Sequence, residues 1–187
     1  MKRSLSFFSV LFFCINSLCA QVKLPVLDKS PMDISYYPNN YPLLKIQDKA
    51  TEPMLARVIY SRPQKNGRII FGDLIEYGKV WRLGANEATE IEFYQTVRIN
   101  NTKIKKGRYT LYAIPNVDKW TIILNSETDT WGSFKYDLQK DILRVDVPVE
   151  KQAEIAESFV MVFDKTAEGF SLQMFWDDVK TTLPISL

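Results

Sequence analysis

Histidine is absent from this 187-residue chain, and cysteine occurs twice, at Cys14 and Cys19. Both cysteines fall in the first 20 residues, which read as a removable leader, so residues 21–187 carry neither type. Ser-His-Asp and Cys-His catalysis, His/Cys zinc sites, His-ligated haem and iron–sulfur clusters are therefore outside the chemistry of this part. Disulfides are excluded as well, and the core alone must hold the fold. Excess charge is lacking: 24 Lys+Arg face 22 Asp+Glu, and without Lys2 and Arg3 the two signs balance. A nucleic-acid binder needs a basic footprint, so no nucleic-acid partner is expected. Glycine is scarce, and four of the seven glycines are crowded between Gly67 and Gly84.

What is present begins with a secretory signal at residues 1–20. Lys2 and Arg3 form a basic start, Leu5 to Ile15 is a mostly apolar run, and Ala20 is a small residue before Gln21. The run is shorter than the ~20 apolar residues a membrane span needs. No later segment is apolar for long enough to cross a bilayer, so the rest is expected to be exported to the periplasm or beyond the cell. Residues 21–53 hold five of the nine prolines and no glycine, which predicts an extended Pro-rich arm without a helix. Tyr36, Tyr37 and Tyr41 in this arm are candidates either for packing on the body or for exposure.

Residues 54–187 read as one β domain. Leu55 to Tyr60 is a first strand. Over 90–99, Ile91, Phe93, Val97 and Ile99 share one face, broken at Gln95. Asn100-Asn101 is a tight-turn pair, and Lys105-Lys106-Gly107 is a second turn. Tyr109, Leu111 and Ala113 then alternate, Trp120 to Leu124 forms a short buried strand, and Leu143, Val145 and Val147 alternate again. Phe159 to Phe163, apolar on both faces, predicts a central strand. Phe170, Leu172, Met174 and Trp176 alternate, and Lys180 to Ile185 closes the sheet. The one helix candidate is the polar piece Glu150–Glu157. Eight to ten short strands with turns between them predict an all-β antiparallel β-sandwich, a jelly roll among the arrangements that fit.

Residues 61–90 depart from that pattern. Besides Gly67, Gly72, Gly78 and Gly84, whose density predicts tight, partly left-handed turns, they hold Arg62, Arg68, Arg82, Asn86, Glu87 and Thr89, with Trp81 beside them. The motif Trp81-Arg82-x-Gly84-Ala85-Asn86-Glu87-Ala88-Thr89 resembles a family of exported bacterial proteins known as domain of unknown function twenty-nine eleven. The resemblance extends from Ser30-Pro31-Met32-Asp33 through Tyr60-Ser61-Arg62-Pro63, Gly107-Arg108-Tyr109 and Trp131-Gly132 to Trp176-Asp177. It implies no activity for any residue.

The polar cluster has two readings. In one it lines a rim pocket: Arg62 and Arg82 bind a carboxylate, phosphate or sugar hydroxyl, Asn86, Glu87 and Thr89 orient the ligand, and Trp81 or Trp131 is the aromatic wall. In the other, Glu87 pairs with an arginine and pins the Gly-rich loop. Among other chemistry, Glu87, Glu90 and Glu92 are the nearest approach to a carboxylate pair for acid/base work on a glycoside. Asn125 to Thr130 and Asp177-Asp178 are oxygen-rich, but they lack EF-hand spacing and read as polar turns, so no metal site is expected. No phosphate loop or dinucleotide fingerprint is present, and no cofactor is expected. The leading expectation is a non-catalytic exported protein that binds a small carbohydrate or anion. The alternatives are a carboxylate-dependent saccharide hydrolase or lyase and a structural or protein-interaction module of the envelope.

Overall fold

The structure is a computed structural model that describes residues 22–187, so the leader expected at residues 1–20 lies outside the described residues. Nine strands run β1 (Met32–Tyr37), β2 (Ala56–Ser61), β3 (Glu90–Phe93), β4 (Val97–Ile99), β5 (Thr102–Ile104), β6 (Gly107–Pro115), β7 (Lys119–Asn125), β8 (Asp141–Lys165) and β9 (Gly169–Ser186). A short helix α1 (Tyr41–Ile46) and a 3-10 turn at Leu138–Lys140 complete the elements. All pairings are antiparallel, and the spatial order is β1-β2-β3-β6-β7-β8-β9-β4-β5. Chain neighbours are thus sheet neighbours, except that the β4–β5 hairpin crosses to the far edge beside β9.

One strand makes this sheet two-layered. The first part of β8 pairs with β7, from Asp141 to Pro148, while Val149 to Lys165 pairs with β9. Register shifts after Lys151 and Ala156 bend it between the two partners. The second half then lies, with β9, opposite β1 and β2: Tyr37 meets Phe163 edge-on at 6.3 Å and stacks on Phe170 of β9 at 4.3 Å, Tyr60 meets Phe159 edge-on at 5.9 Å, and the Tyr60 hydroxyl donates to the Met161 carbonyl. One core cluster holds buried side chains from both layers, among them Val58, Ile91, Leu111, Ile122, Phe163, Leu172 and Leu183.

Several expectations change here. Glu150–Glu157 is strand, not helix; its lack of an apolar stripe reflects a bent strand whose side chains largely face solvent. Phe159–Phe163 is not central either. Phe159, Met161 and Phe163 are buried, but Val162 is 39% exposed, and the strand pairs with β9 on one side only. Its other edge is covered by residues 63–65: Phe159 N–H donates to the Pro63 carbonyl and Lys65 N–H to the Glu157 carbonyl. The single alternating pattern over 90–99 is two strands. Ile91 and Phe93 on β3 and Val97 and Ile99 on β4 are all buried, but the chain leaves one sheet position for another at Tyr94–Thr96. Within residues 21–53, β1 is a sheet strand with Tyr37 in the core, and α1 is a helix where none was expected, started by Pro42 in its first turn.

Candidate functional site

Residues 62–89, between β2 and β3, make no strand of their own, and their turns include left-handed positions, with φ of 70° at Gly67, 93° at Gly72, 72° at Gly78, 53° at Leu83 and 59° at Asn86. Isolated rungs fasten them to the sheet. Trp81 and Ala113 of β6 exchange both backbone hydrogen bonds, at 2.7 and 2.9 Å. Thr89 N–H donates to the Arg82 carbonyl, and its fully buried hydroxyl donates to the Leu83 carbonyl. Gly84, with φ of 155°, passes so close that a Cβ there would lie 3.1 Å from the Ser61 carbonyl oxygen.

This anchoring decides the fate of the predicted residues. Trp81 is 4% exposed: it stacks on Trp176 at 5.8 Å, meets Trp120 and Phe159 edge-on, and donates its indole N–H to the Gly84 carbonyl. It is a core residue and presents no face to a ligand. Thr89 is a structural pin. Arg62 is committed elsewhere, ion-paired to Asp33 of β1 at 3.0 Å and donating to the Phe159 carbonyl at 3.3 Å. It therefore ties β1 to β8 across the layers. Arg82 is half-buried and faces a small recess with Glu76, Lys79 and Ser133. Glu87 is exposed and is held to no arginine, so it is not the pin of a buried ion pair.

Asn86, Glu87 and Trp131 do come together, through backbone. Glu87 and Trp131 form an antiparallel rung, Gly132 N–H donates to the Asn86 carbonyl at 2.9 Å, and Ala88 N–H donates to the Thr130 carbonyl at 3.0 Å. The segment between β7 and β8 thereby becomes a projecting wall. Its base is fixed by a polar network: Asn125 donates to the Asp137 carbonyl and to Asp141, Tyr136 donates to Asp141 at 2.6 Å, and Arg144 pairs with Asp141 at 2.7 Å. Burial and the hydrogen bond to Asp141 raise the Tyr136 hydroxyl to about 12, so it stays protonated and donating. Beneath lie Tyr112 and Ile123, with Tyr136 edge-on to Tyr112 at 5.2 Å.

Against this wall is an open cleft of about 630 Å³, lined by Tyr112, residues 127–132, Phe134, Lys135, Asp137 and Lys140. The volume falls within the ~300–1,000 Å³ usual for ligand sites. Its aromatics stand out: Trp131 is 62% exposed and Phe134 86% exposed, while the other three tryptophans are buried. Rings so placed lose nothing from the core and offer flat apolar faces to solvent. The charged lining is largely self-neutralised. Lys140 pairs with Glu127, and Asp129 pairs with Arg108 at 2.7 Å, which together with Thr128 holds the Asp129 carboxyl below its ordinary value. Tyr112 and Thr130 share a hydroxyl–hydroxyl hydrogen bond at 3.1 Å. What remains is two aromatic faces set among hydroxyls, carboxylates and amines.

Other candidate chemistry is tied up. Glu90 accepts from Arg108 and from Asp129 N–H, while Glu92 accepts from Arg57 and Tyr94. Asp177 pairs with Lys65 and Asp178 with Lys151. Among the described residues, no group of three or more Asp and Glu converges as a metal cage would require. A separate cavity of about 500 Å³ between the β4–β5 turn and the ends of β8 and β9 contains none of the predicted residues and no aromatic ring. No helix among the described residues is long and apolar enough to cross a membrane.

Phe134, Tyr112, Lys135 and Lys140 did not stand out in the sequence. The available signal was Phe134 itself, an aromatic three residues after Trp131 in a stretch with no strand alternation to bury it. Compared with known proteins, residues 44–185 match the family model described as Protein of unknown function (DUF2911). Neither the curated proteins nor the solved structures contain a match.

Proposed function

This chain belongs to the DUF2911 family, and we propose that it is a non-catalytic binding protein whose ligand is a small saccharide held in the Trp131–Phe134 cleft. The observation that carries the reading is the pair of exposed rings on a wall braced by Asn125, Tyr136 and Asp141. Sugar rings present apolar C–H faces that stack on aromatics, and their hydroxyls take up donors and acceptors of the kind found at Thr128, Thr130, Lys135 and Asp137. A saccharide is favoured over a free anion here because Glu127, Asp129 and Asp137 oppose the two lysines of the lining. Export belongs to the same proposal and rests on Lys2, Arg3, the Leu5–Ile15 run and Ala20.

Fluorescence gives the direct test, because Trp131 is the one exposed tryptophan. Acrylamide quenching of the purified protein is to be measured against a panel of mono- and oligosaccharides. A bound saccharide shields Trp131 and leaves the buried tryptophans unchanged, and calorimetric binding is lost in Trp131→Ala and Phe134→Ala. Absence of shielding across the panel, or calorimetric binding that survives both substitutions, overturns the reading.

A further inference from the structure

The side chain of Arg82 is in an unusual position for a cation. Its Nε is fully buried without a hydrogen-bond partner, and no acid of the described residues lies within ion-pair distance of its guanidinium. Burial alone pulls its pKa below that of an ordinary arginine, with no neighbouring charge to offset it. Even a half-buried cation pays part of its desolvation, and arginines so placed are normally paired or hydrogen-bonded. Among the described residues the other arginines all have partners: Arg57, Arg62, Arg108 and Arg144 pair with carboxylates, and Arg68 and Arg98 donate to backbone carbonyls.

The guanidinium does not face a closed core. It borders a recess of about 180 Å³ formed by the turn at residues 74–82 and by Ser133. Lys79 adds a second cation to the rim and Glu76 a single acid. The recess has room for a carboxylate or phosphate group with its contacts. The backbone beneath is fixed, because Trp81 is pinned to Ala113 and the Arg82 carbonyl accepts from Thr89 N–H. The backbone that carries the guanidinium is thus held in place, and the guanidinium has no internal hydrogen bond to give up when a ligand arrives, while its planar fork matches the bidentate geometry of an oxyanion.

We propose that the Arg82 recess is an oxyanion-binding site, taking a carboxylate or phosphate group on the Arg82 guanidinium with Lys79 as the second cation. The ligand supplies the counter-ion that the fold omits. The site is separate from the aromatic cleft, although Ser133 of the same wall lines it, and it stands whether or not the saccharide reading does.

Thermal unfolding of the protein tests this in sodium chloride, phosphate, sulfate and acetate at matched ionic strength. Phosphate and sulfate raise the Tm of most proteins through exclusion from the surface, so the informative quantity is the difference between wild type and Arg82→Gln. Wild type should gain about 5 to 10 °C over that variant at ~100 times the dissociation constant of the preferred anion. The phosphate and acetate arms decide which oxyanion it is. In chloride, Arg82→Gln should melt no lower than wild type, since it removes a charge that nothing in the protein neutralises. Should Arg82→Gln fail to fold, Arg82→Lys replaces it; charge without the planar fork should retain less than half the gain. Glu76→Gln provides an independent check, with unchanged Tm in chloride and a larger gain with the anion. Equal gains in wild type and the Arg82 variant overturn the proposal. So does a Glu76→Gln variant that melts lower in chloride, because Glu76 would then be the built-in partner of Arg82.

Discussion

Trp81 and Trp131 both lie in irregular chain outside the nine strands, and each is held by an isolated backbone rung, Trp81 to Ala113 of β6 and Trp131 to Glu87 of the glycine-rich segment, yet their rings face opposite ways. Trp81 is wedged between Trp120, Trp176 and Phe159, with its indole N–H satisfied by the Gly84 carbonyl. Trp131 is paired through its backbone to Glu87 and leaves its ring in solvent at the mouth of a cleft. The difference is in what lies beneath. Trp81 sits over the seam where β7 and β9 bring large apolar side chains from both layers, whereas Trp131 projects from a wall whose base is polar, built on Asn125, Asp137 and Asp141. Membership of a motif rich in arginine, asparagine and glutamate therefore does not decide which way a tryptophan faces; what lies beneath it does.

The strongest way to break the comparison is to delete the buried member. Trp81→Ala removes a ring enclosed by four aromatics and should cost about 3–5 kcal/mol in urea unfolding, enough to threaten folding itself. A loss below ~1 kcal/mol would mean that the ring is not a core element.

Alkaline pH acts on the same interior from the other side. Burial, with the Asp33 charge adding to it, pushes the Tyr60 hydroxyl from 10.0 up to about 12. A raised folded pKa favours the protonated form, so the stabilisation is complete below pH ~10 and is lost as pH rises through ~12. The sign is that of a group which must be neutral to stay inside. Over that window wild type should lose about 2–3 kcal/mol more than Tyr60→Phe, measured by urea unfolding at each pH. Parallel pH profiles for the two proteins would show that Tyr60 ionises as freely folded as unfolded.

A smaller effect is expected at the turn that positions Trp81. Thr89→Val keeps the shape, removes the donor to the buried Leu83 carbonyl, and should cost about 1–3 kcal/mol in the same assay. A neutral result would assign the turn to its backbone bonds alone.

Much of the β architecture was legible because alternation reports burial directly. Ile91, Phe93, Leu111, Leu172 and Trp176 are inside, as their spacing required. The misreadings share a cause: alternation does not report which neighbour a strand has. Ile91–Ile99 could not reveal that β3 and β4 belong to different sheet positions, nor Phe159–Phe163 that its free edge is covered by Pro63 and Lys65. Glu150–Glu157 looked helical because bulges erase the period of two. The candidate site was half legible. Trp131 stood out as a candidate aromatic wall, but the commitment of Arg62 to Asp33 and the burial of Trp81 depend on contacts between residues far apart in sequence. The glycine-rich segment was recognisable as turns and carried no sign that its aromatic residue faces inward.

The exposed member of the comparison should answer in the opposite way. Trp131→Ala and Phe134→Ala remove rings that solvent already surrounds, and each should change unfolding free energy by no more than ~0.5 kcal/mol. The backbone rung to Glu87 and the bond from Gly132 to Asn86 do not depend on either side chain, so the wall persists in both variants. That small number is informative because of what accompanies it. A residue retained for stability loses stability when truncated, while a residue retained for a ligand loses only affinity. If Trp131→Ala instead costs 2 kcal/mol or more, on the order of a buried side chain, the ring folds back onto the protein in solution and the cleft is not open. If the cost is near zero and saccharide shielding disappears with the ring, then the two tryptophans separate the two roles: Trp81 holds the fold, and Trp131 uses the surface that the fold leaves exposed.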